Sequence, residues 1–309
     1  MGNSIQILPS DKIDLVKWNM CIEQSSNALI YADYFYLTNQ CDHWAGLIIG
    51  DYKTIMPLPW RKKWGIKYLY APAFIQQLGI FGDLSNLHLQ QILNKIKEFA
   101  KFGDLFFNYE NMAILSEITT QQKTNFILNL NQPYPSIKAR YTSDLLKNLQ
   151  KSEKRKLKYT NNLSVEDAIT QFQIQYQSRI PHYNEHTFKK LNTTCIELAK
   201  HHKCFIRTVS TQESNDSIST ALLLTHKKRI YLLLNTTNSI GRSFAANHYL
   251  LDQIIQEFCE EDLVLDFEGS ERKGIKEFYE SFQPEIQPYF QFTYNNLPFL
   301  INWARGIFK

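Results

Sequence analysis

The octapeptide DLFFNYEN, Asp104 to Asn111, returns as DLVLDFEG at Asp262 to Gly269, 158 residues further along the chain. Each copy runs from an acid through apolar residues of strand character into an aromatic residue flanked by polar groups. A strand and its exit written twice at this spacing fit a duplicated unit of about 150 residues, and 309 residues are enough for about two domains. With 44% hydrophobic and 21% charged residues, both units have the material for a globular core. We place them at residues 1–123 and 124–309.

The periodicity around the copies fills in these units. Leu47 to Ile49, Thr54 to Pro57 and Ile66 to Tyr70 read as strands parted by Gly, Asp and Pro turns. Leu89, Ile92, Leu93, Ile96, Phe99 and Ala100 share one face of a helix that leads into the first copy. The second half opens on the strand TNFILNL and a Pro-bounded turn. Helices follow around Leu145, Leu146 and Leu149, then from Val165 to Tyr176 and from Phe188 to Ala199. CFIRTVS, SISTALLLTH and RIYLLLNTT read as strands, the first two joined by turn chemistry at Asn215 and Asp216. NSIGRSFAAN then enters a helix with Leu251, Ile254, Ile255 and Phe258 inside. The second copy, the short helix GIKEFYESF and the strand PYFQFTY close the order, and FLINWARGIFK reads as a final helix folding back.

A net charge of +4 tilts the chain toward anionic ligands at one locus without making it a general nucleic-acid coat. Nothing in it matches a base-reading module, so DNA is not an expected partner. Cys21, Cys41, Cys195, Cys204 and Cys259 are odd in number and free of CxxC spacing, which suits buried thiols in a reducing compartment. No run of about 18 apolar residues is present, and the expected location is cytoplasmic. His182 and His186 lack the second residue of HExxH, so no metal is expected.

Several segments carry candidate chemistry. Lys147, Lys151, Lys154, Arg155 and Lys158 fall on one face if the helix runs through them, giving either a phosphate-binding stripe or a solvated face. In NSIGRSFAAN a strand-to-helix turn can converge backbone N–H groups on an anion, with Gly241 allowing close approach, Arg242 adding charge and Ser243 capping the helix. Asp266 and Glu268, two apart on a strand, point to one face, where one carboxylate would serve as a general base. Both would equally serve as partners for Arg242 and Arg272.

Over Thr124 to Asn295, YTSDLLKNLQKSEKRKLKYTNN, GRSFAANHYLLDQIIQEF and LVLDFEGSERKGIKEFYESF resemble, in order, three segments of FemABX-type proteins, which are built from two GNAT-like domains. The resemblance implies an α+β fold of tandem GNAT-like units, with mixed, mostly antiparallel sheets flanked by helices. It also implies an N-acyltransferase with acetyl-CoA or another acyl-CoA as donor, whose pyrophosphate would lie on Gly241, Arg242 and Ser243. The strand near Asn235 would hold the donor's pantetheine or ester and supply an oxyanion donor. Tyr279 would protonate the leaving group. The amine acceptor, a small molecule or cell-wall precursor, would bind between the domains near Gln76, Gln77 and the PWRKKW hairpin. Two alternatives remain open: aminoacyl transfer from tRNA held by Lys151, Lys154, Arg155 and Lys158, or a binding protein without chemistry on the duplicated fold.

Overall fold

The computed structural model describes residues 4–298 apart from Asn86, Asn215 and Ser270. The turn residue Asn215 and the segment FLINWARGIFK lie outside the described residues. The chain forms two compact units, Met1–Lys123 with Pro288–Lys309, and Thr124–Gln287.

In the first unit β1 (Ile5–Pro9) is followed by α1 (Leu15–Gln24), α2 (Tyr34–Gln40), β2 (Trp44–Ile49), β3 (Thr54–Lys63) and β4 (Ile66–Leu69). β5 (Phe81–Gly82), α3 (Leu89–Phe99), β6 (Phe102–Phe107) and β7 (Gln121–Lys123) come next. Asp14 and Asp33 start α1 and α2 by accepting the first free N–H groups of each helix, those of Val16 and Lys17 and of Phe35 and Tyr36. Leu89, Ile92, Leu93 and Ile96 turn the apolar face of α3 into the core.

The second unit runs β8 (Phe126–Asn129), α4 (Tyr134–Lys138), α5 (Ser143–Glu153), β9 (Lys158–Thr160), α6 (Val165–Tyr176) and α7 (Glu185–Lys200). It continues through β10 (Cys204–Ser210), β11 (Ser217–His226), β12 (Arg229–Thr237), α8 (Ser239–Ser243), α9 (Ala246–Phe258), β13 (Val264–Asp266), α10 (Lys273–Glu280) and β14 (Glu285–Ile286). Leu250, Leu251, Ile254 and Ile255 of α9 pack with Leu145 and Leu149 of α5 and with Leu265 and Phe267 into its core.

Both sheets follow one plan. The first has the order β1-β2-β3-β4-β6 and then β15 (Tyr289–Asn295) and β7; the second has β9-β10-β11-β12-β13-β8-β14. In each, the first four strands are antiparallel, the fourth pairs in parallel with the fifth, and the last two return to antiparallel pairing. The architecture is α+β, as the sequence implied. The strand PYFQFTY differs from expectation: drawn as the close of a second domain ending at 309, it is β15 and pairs with β6 from Phe290↔Phe107 to Asn295↔Phe102. The corresponding place beside β13 is taken by β8, with Leu265 opposite Leu128. An alternating apolar strand satisfies any open sheet edge of matching length, so its pattern does not say which sheet it joins.

Candidate functional site

β12 and β13 stay together for three residues, Arg229↔Val264 to Tyr231↔Asp266, and then part. Among the described residues, no strand pairs with the β13 side of β12 beyond Tyr231. Alternate backbone groups of a strand point to each edge, so N–H and C=O groups between Leu232 and Thr237 face this gap. The register with β11 also slips, Leu222 facing Leu234 while Leu223 faces Leu232, which leaves Leu233 as a bulge at the mouth of the gap. The gap widens into a cleft of about 460 Å³, with Leu233 and Asn235 on one wall, Phe267 and Glu268 on the other, and Phe278 and Tyr279 of α10 across it.

Of the residues expected at this place, Glu268 and Tyr279 are brought together with Asn235. Glu268 has φ 54, a left-handed turn that takes it off the strand and into the cleft wall. Tyr279 is 7% exposed, and its hydroxyl pKa is pushed up, by burial first and also by the Glu268 carboxylate, against a downward pull from Asn235. The phenol is therefore held protonated. The buried Asn235 Oδ1 has no hydrogen-bond partner.

Asp266 is not part of this wall, which corrects the expectation of two carboxylates on one face. β13 ends at Asp266, and strand alternation ends with it. Its carboxylate is 1% exposed, accepts from Arg229 Nη1 at 2.6 Å, and accepts the Glu268 N–H at 2.8 Å. It is an ion-pair anchor that shapes the turn presenting Glu268.

The NSIGRSFAAN loop is more ordered than a phosphate cradle requires. It forms the short helix α8, whose cap is Asn238: its Oδ1 accepts the Gly241 N–H at 2.8 Å. Gly241 is needed for packing, because a Cβ there would stand 2.2 Å from the Ile218 carbonyl oxygen. Ser243 does not cap α9; its hydroxyl donates back to the Ile240 carbonyl at 2.8 Å. α9 starts instead from Ala245 at φ 55, and no side chain caps it. Arg242 folds its guanidinium onto the Thr237 carbonyl and lines a second hollow of about 260 Å³ that shares Tyr176, Arg179, Asn247 and Phe278 with the cleft.

Sequence reasoning missed Arg179, Asn247 and His248 in this hollow. Buried Asn247 Oδ1 and His248 Nδ1 have no hydrogen-bond partner. Burial, and then the charge of Lys151, lower the His248 pKa to about 4, so the ring is neutral near pH 7. Its place in the first turn after a Gly-Arg loop was the available signal.

The basic stripe is shorter than its spacing implied. α5 ends at Glu153, Lys154 closes it, Lys156 adopts φ 49, and Lys158 begins β9, where its amine reaches the Gln212 carbonyl. Lys147 pairs with Asp144. Arg155 lies over the Phe244 ring at 4.6 Å, and Lys151 acts on His248, so these two of the five cations border the α8–α9 turn. Lys154 and Lys158 are solvent-exposed.

Gln76 and Gln77 line a cavity of about 20 Å³ in the first unit, room for about one water. Gln77 is fully buried and donates to Gln76 at 2.9 Å, so it cannot be the surface acceptor contact that was expected. Among the described residues no cluster of His, Cys, Asp or Glu is placed to hold a metal, and no helix is long and apolar enough to cross a membrane.

No family model matches the sequence, and no curated protein matches it. Solved structures do match. FemX superposes with a TM-score of 0.67 at 11% identity, over 94% of this chain and 98% of its own. The DUF2156 C-terminal domain assigned to a lysylphosphatidylglycerol synthetase of Agrobacterium fabrum gives 0.58 at 9% identity, over 94% of each chain. A tandem GNAT protein from the clavulanic acid biosynthesis pathway gives 0.52 at 7% identity, over 96% of this chain and 99% of its own. At these identities the likeness speaks to architecture, and together with the two sheets of common plan it shows that this chain has the FemABX and tandem GNAT type of fold.

Proposed function

We propose that the second unit transfers an activated acyl group from an acyl-CoA such as acetyl-CoA to an amine. The observation that carries this reading is the open gap past the β12–β13 pair, walled by Glu268, Asn235 and a protonated Tyr279. The donor's acyl arm would lie along the free edge of β12, whose N–H groups would stabilise the oxyanion formed as the amine attacks the carbonyl. Glu268 would take the proton that the attacking amine must lose. Tyr279 would give its proton to the departing thiolate, so one proton enters and one leaves the site per turnover. The uncapped start of α9, with Arg242 and Arg179 beside it, would hold the donor phosphates.

An aminoacyl-tRNA donor, with a cell-wall precursor as acceptor, is the second reading. It is favoured by one observation: the Gly241 N–H is already bonded to Asn238, which removes a backbone donor that a pyrophosphate would use. Thermal unfolding of the protein titrated with acetyl-CoA, free CoA and bulk tRNA separates the readings. A saturable rise in Tm with CoA compounds that weakens in Arg242→Ala supports the first. A rise with tRNA alone, fading as salt increases, moves the donor to tRNA. No rise with either, and no turnover, leaves a binding protein without transfer chemistry.

A further inference from the structure

The β3–β4 hairpin of the first unit spends stability twice. Its two-residue turn is Trp64 and Gly65, with φ 52 and 81, the left-handed pair of a type I′ turn. Gly fits such a turn and Asn or Asp tolerates it; a bulky ring there is an outlier. Behind the turn Lys62 stands directly opposite Lys67, a like-charge cross-strand pair that opposes pairing. No Asp or Glu occurs between Asp51 and Asp83 to relieve it. Negative charge beside the tip would relieve the lysine repulsion, and burial of the indole in an apolar layer would offset the cost of the turn.

The layout of the tip says what kind of layer. Trp64 is 63% exposed, and a Cβ built on Gly65 meets nothing within 4 Å, so the turn is open to solvent. Side chains alternate along the strands, so Lys62 and Lys67 flank the apex on one face and Arg61 and Lys63 on the other. Arg61 is tied to Asp42, Lys67 lies over Phe99 at 4.5 Å and Trp60 at 4.7 Å, and Lys63 lies over the Trp64 ring at 4.9 Å, so Lys62 and Lys63 are the cations nearest the apex. A nucleic-acid strand would be met by cations on one face and an open ring for stacking. An indole at the apex with cations on both sides is instead suited to a plane met end-on, where the ring enters the interface and the lysines reach the phosphates.

We propose that the Lys62–Lys67 hairpin tip is a contact surface for an anionic phospholipid bilayer. The test is sedimentation of the full chain with vesicles of phosphatidylcholine alone and of equal parts phosphatidylcholine and phosphatidylglycerol. The chain is expected to bind the anionic vesicles and leave the neutral ones, with Lys62→Gln and Lys63→Gln each lowering the partition about fivefold. Trp64→Asn is expected to lower it further while keeping or raising Tm, since Asn tolerates the turn; this variant separates lost binding from lost folding. Equal binding to both vesicle types, or binding indifferent to all three substitutions, overturns the proposal. So does tRNA that binds through the same residues and leaves the vesicles unbound, which would make the tip an RNA contact.

Discussion

The two units diverge at one point of a shared plan. In both, the fourth and fifth strands run parallel briefly and then separate, at Leu69 and Gly103 in the first unit and at Tyr231 and Asp266 in the second. In the first, the chain after Leu69 fills the gap itself. Pro72 and Ile75 are buried, Leu78 rejoins the sheet opposite Phe107, and about 20 Å³ is left. In the second, β12 runs on to Thr237, nothing rejoins among the described residues, and about 460 Å³ stays open. The residues that correspond in the two copies of the repeat, Asn108 just past β6 and Asp266 at the end of β13, follow suit. Asn108 locks the closed gap by donating to the Leu78 carbonyl at 2.7 Å and accepting from Asn27 at 3.0 Å and from the Glu110 N–H at 3.1 Å. Asp266 makes the same turn bond to Glu268, but its other oxygen holds Arg229. One position thus sustains a plugged gap through an amide and an open gap through an ion pair.

Exchanging these two residues should break the comparison with the largest effect. Asp266→Asn leaves the Arg229 guanidinium, 11% exposed, against a neutral amide; the expected cost is about 3–5 kcal/mol by urea unfolding. Asn108→Asp points a buried carboxylate at the carbonyl oxygens of Leu78 and Ile80, with a loss at least as large. If Asp266→Asn unfolds at the wild-type urea midpoint, the ion pair does not shape the turn. Replacing both partners by apolar residues, Asp266→Leu with Arg229→Met, should recover much of the loss.

The next effect is on rate. Glu268→Gln is expected to lower acyl transfer about 10²-fold or more with little change in Tm, because it removes the base while keeping the size of the side chain. Glu110, its counterpart in the first unit, accepts from Ser26 instead, and Glu110→Gln should leave turnover as it was. Equal losses in the two variants would mean that the first unit takes part in the chemistry, and no loss in either would remove Glu268 from its role.

How much of this was legible depends on what each residue answers to. The repeated strand, the α3 face and the β10–β12 strands were readable because apolar period reports burial directly. That Glu268 and Tyr279 lie near one another was readable, because a strand, a turn and a short helix follow in an order that is itself a pattern. The pairing of Asp266 with Glu268 on one face was misread because strand alternation was carried past Asp266, the last strand residue, to Glu268. The stripe from Lys147 to Lys158 was misread because Lys and Arg are good helix formers, and no Gly or Pro marks the stop at Glu153. Whether a gap between strands is plugged or open was not legible at all. It depends on whether some other segment returns, as the segment ending at Leu78 does.

His248 offers the smallest effect and the sharpest contrast between the gaps, since it lines the hollow joined to the open one. Its folded pKa of about 4 lies below the ordinary 6.5, so between these values the unfolded chain binds a proton that the folded chain does not. Its contribution to stability is therefore full above pH 6.5, falls as the pH drops toward 4, and changes no further below that. The whole step is on the order of 3 kcal/mol. Urea unfolding of wild type and His248→Gln across that range should run close together above pH 6.5 and separate as the pH drops toward 4, with the wild type the less stable, because burial and Lys151 penalise only the charged ring; parallel curves would mean that the ring is not held neutral by its surroundings. A phosphate-bearing donor bound beside Arg242 and Arg179 would draw the proton back. The His248 titration midpoint followed by NMR should then rise when donor is added, while signals of Gln77 in the plugged gap stay still. A midpoint that ignores a donor known to bind would move the phosphates away from the start of α9 and leave the acyl arm alone in the β12–β13 gap.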